Sequence, residues 1–296
     1  MKSEKFKGLG TALITPFKNG TEIDYDMLSK LIEFQINAGV DYLVIAGTTG
    51  EGVTLDDEET VALFKFAINK INKRIPMVAG CGGNDTRALV NKIRKFNTLN
   101  PDGYLVVSPY YNKPTQDGLL AHYREVAKAA DNIPIILYNV PGRTSGWIMP
   151  ETVSKLATKN HNIVAIKEAS GNVSFSMDMY KTVSSKTPGF VFLSGEDSLT
   201  LPLMSVGYSG AIAVVSNEKP KEMKEMIAYA LKQDFASAYK LHYMLLDLMN
   251  VNFIETSPGP VKYVMKKMGY CDGSVRLPLS EFKDTAKMDE ILKGYL

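Results

Sequence analysis

Val40-Asp41-Tyr42-Leu43-Val44-Ile45-Ala46-Gly47 is a short apolar run closed by a glycine, and its centre, LVIAG, is continuous rather than alternating. A strand that is apolar at consecutive positions is one covered on both faces, as in a parallel sheet sheathed by helices. Runs of the same kind recur at Gly10–Phe17, Ile75–Cys81, Gly103–Pro109, Ile133–Val140, Ile163–Ala169, Phe190–Gly195 and Ala211–Ser216. Between them lie stretches of helical period, among them Asp26–Ala38, Asp56–Ile71, Thr86–Phe96 and Gly118–Ala130. Thr54 and Asp57 resemble a capping box ahead of the second of these. Successive runs start 21 to 35 residues apart, the length of one strand plus one crossover helix. Eight such units predict an α/β protein, a (β/α)8 TIM barrel over residues 1–232. A doubly wound sheet is the competing arrangement, but it ordinarily has fewer strands and a nucleotide fingerprint after the first, which is missing. From residue 220 the pattern is purely helical. Pro220–Lys232 reads as the last barrel helix, and Phe235–Asn250, Pro260–Gly269 and Leu279–Leu292 as a C-terminal helical appendage over residues 233–296.

The composition narrows the function. With 296 residues and 45% hydrophobic side chains, the chain can bury a large core. Thirty-four Lys plus Arg against 32 Asp plus Glu leave a net charge of +2, and the longest single-sign run is the acidic Asp56–Glu59. Nothing here suits a nucleic acid or an anionic membrane surface. No apolar stretch nears the ~20 residues of a bilayer span, and Met1-Lys2-Ser3-Glu4-Lys5 is not followed by a signal-type apolar segment. Cys81 and Cys271 cannot form a disulfide framework, so the expected setting is the cytoplasm.

In such barrels the chemistry sits at the C-terminal ends of the strands. The second run ends in Gly47-Thr48-Thr49-Gly50-Glu51-Gly52-Val53-Thr54, nearly a Walker loop but with Val53 in place of the lysine. Such a turn suits a single carboxylate better than a polyphosphate, and it can equally be a plain tight turn. The fifth run ends in Tyr138-Asn139-Val140-Pro141-Gly142-Arg143-Thr144, which sets a tyrosine at the strand mouth and a guanidinium behind a Pro-Gly turn. In Ile163-Val164-Ala165-Ile166-Lys167-Glu168, period two puts Lys167 on the face of Ile163 and Ala165, with Glu168 on the other. Facing the barrel interior, Lys167 is a Schiff-base candidate; facing outward, it is a lysine snorkelling at a strand end. The fourth run ends in Ser108-Pro109-Tyr110-Tyr111-Asn112, whose tyrosines can transfer protons or pack an interface. His122, His161 and His242 have no partner at ligand spacing, so no metal is expected. The glycine clusters at Gly80–Gly83 and Gly207–Gly210 miss the dinucleotide and nucleophile-elbow patterns, and no cofactor is expected.

Together these segments resemble the dihydrodipicolinate synthase / N-acetylneuraminate lyase family of lysine-dependent class I aldolases. The carrying motifs are Gly47-Thr48-Thr49-Gly50-Glu51, Ser108-Pro109-Tyr110-Tyr111-Asn112, Tyr138–Thr144 and Ile166-Lys167-Glu168-Ala169, and the likeness runs from about residue 8 to the C-terminus. The resemblance implies that Lys167 forms an imine with pyruvate and that Tyr138 shuttles protons beside it. It implies that Thr48 links Tyr138 to Tyr111, which reaches in from a neighbouring subunit, and that Thr49 receives the pyruvate carboxylate. Gly195 and Ile212 would line the pocket through their backbones. The resemblance further implies that Arg143 holds the carboxylate of L-aspartate 4-semialdehyde, as an arginine in this motif does in the synthases of the family, on the diaminopimelate route to lysine; the sugar-acid lyases typically lack it. The family also implies a homotetramer built as a dimer of dimers.

Two departures stand out. Ser145 follows Thr144 where the family usually has glycine. At the positions of the family's lysine feedback site the chain has Gly52, Asp57, Thr60, Asn84, Ala88 and Tyr110, so only Asn84 and Tyr110 match and the carboxylate is lost at Ala88. Weak or absent inhibition by L-lysine is the expectation. A sugar-acid aldolase and a non-catalytic keto-acid sensor are the alternative readings.

Overall fold

The computed structural model describes residues 3–295. Its strands, in chain order, are β1 (Gly8–Ala12), β2 (Phe17–Lys18), β3 (Glu22–Ile23), β4 (Tyr42–Ile45), β5 (Met77–Gly82), β6 (Gly103–Val107), β7 (Ile135–Asn139), β8 (Ile163–Glu168), β9 (Val191–Ser194) and β10 (Gly210–Ala213). Eight of them close into one barrel in the order β1-β10-β9-β8-β7-β6-β5-β4, with every pairing parallel. The helices are α1 (Tyr25–Asn37), α2 (Asp57–Ile71), α3 (Thr86–Asn97), α4 (Gln116–Ala130), α5 (Pro141–Thr144), α6 (Pro150–Lys159), α7 (Val173–Ser184), α8 (Thr200–Ser205), α9 (Pro220–Leu231), α10 (Phe235–Val251), α11 (Gly259–Lys267) and α12 (Thr285–Leu292). The chain therefore forms the (β/α)8 barrel that its apolar runs predict, followed by C-terminal helices in which α10 packs on α9 and α12 on α10.

Two apolar layers hold it together. The inner one gathers Ala12, Tyr42, Val44, Val78, Leu105, Ile136, Leu193 and Ile212 inside the barrel. The outer one, far larger, lies between strands and helices and includes Leu43, Ile45, Ile135, Leu137 and Ile166. Neighbouring residues on each strand thus divide between the layers, which is why the runs read as continuously apolar. Gly10 makes room for a large ring inside: a Cβ there would lie 2.1 Å from the Tyr42 side chain. The seam between first and last strands is tied by the buried Asn217, whose amide donates to the Ala12 carbonyl (2.8 Å) and accepts from Ile14 N–H (3.0 Å).

Four local expectations are corrected. The first run ends as a strand at Ala12, because the chain turns across the barrel mouth, and Phe17 pairs with Ile23 in the small β2/β3 hairpin. The capping box of α2 is Asp56 with Glu59 rather than Thr54 with Asp57: each side chain accepts the other's backbone N–H, at 2.8 and 3.1 Å. The last helix begins at Thr285, not Leu279, since Phe282 docks instead against Tyr263 with ring centroids 5.5 Å apart. Finally, Ile163 sits in the outer layer while Ala165 sits in the inner one. The register slips between Ile135 and Ile136, where Ile135 faces Ile163 but Ile136 faces Ala165. The extra residue, Val164, breaks the alternation.

Candidate active site

The bulge leaves the end of β8 correctly phased. Lys167 pairs across the ladder with Tyr138 of β7, and Glu168 with Asn139. Glu168 points away from Lys167 and is fastened on both oxygens: it accepts from Asn139 Nδ2 and from Ser170 N–H, each at 2.7 Å. Burial raises the Glu168 pKa, and these donors oppose the rise. Asn139 Oδ1 in turn accepts from Ile148 N–H (2.9 Å). With this outer rivet in place, Lys167 and Tyr138 stand side by side on the inner face. Lys167 is 5% exposed and its Nζ lies 4.5 Å from the centroid of the Tyr138 ring. Among the described residues the side-chain nitrogen has no hydrogen bond and no ion pair, so no partner in the chain has to be displaced before a ligand reaches it.

Gly195, at the end of β9, is where the lysine stem crosses. A Cβ at this position would lie 2.8 Å from Lys167 Cε and 2.7 Å from Ala169 Cβ, both inside contact distance. A glycine here lets the side chain lie flat toward Tyr138. Ala211 pairs with Ser194, so Ile212 and Gly195 follow on adjoining strands; Ile212 itself is fully buried in the inner layer.

Tyr138 separates two cavities. The larger, about 570 Å3, is walled by Val140, Gly142, Arg143, Ala169, Gly195, Glu196 and the segment Phe253–Ser257. Arg143 is exposed there, and among the described residues its guanidinium has no hydrogen bond or ion pair. Opposite charges share its wall, Glu196 and Glu255. Burial raises the pKa of Glu196 and pushes that of neighbouring Asp197 up to about 6, while the charge of Lys167 pulls both down. The smaller cavity, about 200 Å3, is bounded by Gly47, Thr48, Gly52, Thr60, Cys81, Lys92 and Tyr110. Burial pushes the Cys81 thiol up to about 12, so it is held as a neutral, inert thiol.

The turn after β4 presents Thr48, half-buried, toward the smaller cavity and holds Thr49 at 4% exposure. Tyr111 is placed apart from this group: it is 89% exposed, in a left-handed backbone conformation (φ 74°). Asn84 donates to the Tyr110 carbonyl at 3.2 Å, which joins the two loops at the surface. Glu196 and Glu255 were not singled out by sequence. Glu196 had a local signal, lying one residue beyond Gly195 at a strand end, whereas Glu255 lies between helices and had none.

A buried, unpaired lysine beside a tyrosine at the mouth of a (β/α)8 barrel fits the class of Schiff-base-forming carbon–carbon lyases. Comparison with known proteins agrees. The model of the dihydrodipicolinate synthetase family matches residues 5–293. The 4-hydroxy-tetrahydrodipicolinate synthase of Aquifex aeolicus (strain VF5) is 46% identical over 292 residues, 98% of either chain. The crystal structure of dihydrodipicolinate synthase from Aquifex aeolicus superposes with a TM-score of 0.93 at 45% identity, covering 98% of each chain. A dihydrodipicolinate synthase from Cyanidioschyzon merolae, solved with lysine bound, gives 0.92 at 36% identity over 98% of each chain. The chain belongs to the dihydrodipicolinate synthetase family, and it is an enzyme of the Schiff-base-forming lyase type.

Proposed function

We propose that this enzyme condenses pyruvate with L-aspartate 4-semialdehyde to 4-hydroxy-tetrahydrodipicolinate, in the diaminopimelate route to lysine. The observation that carries the reading is the buried Lys167 amine, free of bonds and set against the Tyr138 ring. Its lone pair adds to the pyruvate ketone, and loss of water gives a protonated imine. The imine draws electrons from the methyl group, which gives up a proton to become an enamine. The enamine carbon bonds to the semialdehyde carbonyl carbon, and the substrate's own amine then attacks the imine carbon and expels Lys167 as the ring closes. Tyr138 carries protons to and from these atoms, with Thr48 and Tyr111 as its relay. The exposure of Tyr111 supports completion of that relay by a second copy, and so a dimer or a tetramer built as a dimer of dimers. Thr49 receives the pyruvate carboxylate. The unpaired cysteines, and the lack among described residues of a helix long and apolar enough to cross a membrane, support a cytoplasmic setting.

The larger cavity favours the semialdehyde over a sugar aldehyde. One guanidinium and two carboxylates line it, matching a molecule with one carboxylate and one ammonium better than a neutral polyol. Turnover of pyruvate with the semialdehyde should exceed turnover with sugar-derived aldehydes, and the reverse preference would overturn the assignment. Arg143→Ala is expected to raise the semialdehyde KM by roughly tenfold or more, the loss of a charge-assisted bidentate bond, with pyruvate labelling under borohydride unchanged. Equal losses in both assays would remove Arg143 from this role.

The same geometry supports insensitivity to lysine. Lys92 Nζ pairs with Asp57 at 3.2 Å and stands in the wall of the smaller cavity with Gly52, Thr60 and Tyr110. An incoming lysine ammonium meets a like charge there and finds no carboxylate at Ala88. A titration should give no half-inhibition below millimolar L-lysine, and half-inhibition in the micromolar range would refute this part.

A further inference from the structure

Glu51 lies in the turn that displays Thr48 and Thr49, yet its carboxylate points away from the site. It is 2% exposed and forms an ion pair with Lys262 of α11, which is fully buried. Lys262 Nζ also donates to the Ser274 carbonyl (2.8 Å) and lies 4.0 Å from the Phe17 ring centroid. The other Glu51 oxygen accepts from Arg276 N–H at 2.9 Å. The Arg276 guanidinium extends the same clamp, donating to both Glu59 oxygens (2.8 and 2.6 Å) and to the Thr54 carbonyl (2.8 Å). Burial pulls the Lys262 ammonium below the usual lysine range, and the Glu51 charge opposes that pull.

The turn needs such a clamp. Ala46 and Glu51, at its two ends, are non-glycine residues in the left-handed region, with φ 56° and 53°. Such conformations persist where surrounding contacts over-determine them. Gly50 and Gly52 are pressed onto backbone: a Cβ would lie 2.9 Å from the Leu13 carbonyl oxygen and 2.1 Å from that of Ala46. Within the turn, Glu51 N–H donates to the Thr48 carbonyl and Gly52 N–H to the Gly47 carbonyl, each at 3.1 Å. A displaced Glu51 therefore moves the carbonyl of Thr48 with it.

We propose that the Glu51–Lys262 ion pair is a positioning device, holding the Thr48-Thr49 turn in the form that accepts the keto acid's carboxylate and making α11 part of the binding machinery. The inference rests on the pyruvate reading of the site. Its test compares Glu51→Gln, Lys262→Met and the double variant, in which no charge is left buried without a partner. Asn162→Ala serves as the control, because it loses two hydrogen bonds (2.9 and 2.8 Å) at the opposite end of the barrel. All three clamp variants, the double included, are expected to raise the pyruvate KM by roughly tenfold or more and, because Thr48 also belongs to the proton relay, to lower kcat as well, whereas a merely structural loss would move Tm alone. Asn162→Ala should lower Tm without moving KM, and Lys262→Arg should recover part of the pyruvate affinity. If either single variant fails to fold, the double decides. A double variant with wild-type pyruvate KM, or clamp variants that lose only Tm, would overturn the proposal. Wild-type enzyme that gives no reducible pyruvate adduct would instead sink the functional reading beneath it.

Discussion

Lys167→Ala is expected to lower kcat/KM by roughly 10⁴- to 10⁶-fold, the scale seen when a covalent nucleophile is removed. The loss follows from chemistry rather than folding. Alanine cannot form an imine, and without that electron sink the methyl proton of pyruvate is not acidic enough to leave at neutral pH. The fold should survive, because the Lys167 side chain makes no ion pair or hydrogen bond among the described residues, and buried Asp197, which loses the attraction of that charge, keeps its bonds from Val214 and Val215 N–H. The missing stem does leave space above Gly195 and Ala169, next to an open cavity that water can fill. Steady-state assay of pyruvate with the semialdehyde, beside a thermal melt, checks both halves. A variant that melts like wild type and keeps more than about a hundredth of its activity would remove Lys167 from the chemistry.

Tyr138→Phe carries the second large effect, a fall in kcat of about 10²–10⁴-fold, the usual contribution of a positioned proton-transfer group. The substitution keeps the ring, so the packing against Lys167 at 4.5 Å is preserved and the ammonium still lies over an aromatic face. What disappears is the hydroxyl between the two cavities. The variant should therefore still label with pyruvate under borohydride, but more slowly, since imine formation itself needs protons moved. Unchanged kcat would mean that another group shuttles the protons. Unchanged kcat with a raised pyruvate KM would assign Tyr138 to binding alone.

The parts of this molecule that depend on local pattern were open to a sequence reading. A strand buried on two faces has little room for polar residues, so each barrel strand announces itself as an apolar run, and the residues at or just past the ends of those runs (Thr48, Tyr138, Arg143, Lys167, Gly195) all fall at the C-terminal mouth. Strand ends were less legible. Phe17 is apolar because it packs in the outer core and beneath Lys262 and Arg276, whose charged groups lie 4.0 and 4.7 Å from its ring, and not because it continues β1. The bulge at Val164 has no signal of its own, because register is decided by the partner strand as well. Lys167 nevertheless reached the inner face, since the slip lies upstream of it and the alternation resumes at Ala165. The Glu51 clamp was invisible for a different reason. Arg276 and Glu59 stand 217 residues apart, and a lysine in an amphipathic helix gives no sign that it is buried until its distant partner is known.

The central claim is that the Lys167 amine becomes covalently bound to the keto acid. Reduction with borohydride in the presence of pyruvate, followed by proteolysis and mass spectrometry of the peptides, tests it most directly. A reduced pyruvate adduct on the peptide containing Lys167, absent without pyruvate and absent in Lys167→Ala, is the predicted result. An adduct on another lysine, or none on an enzyme that turns over, would contradict it.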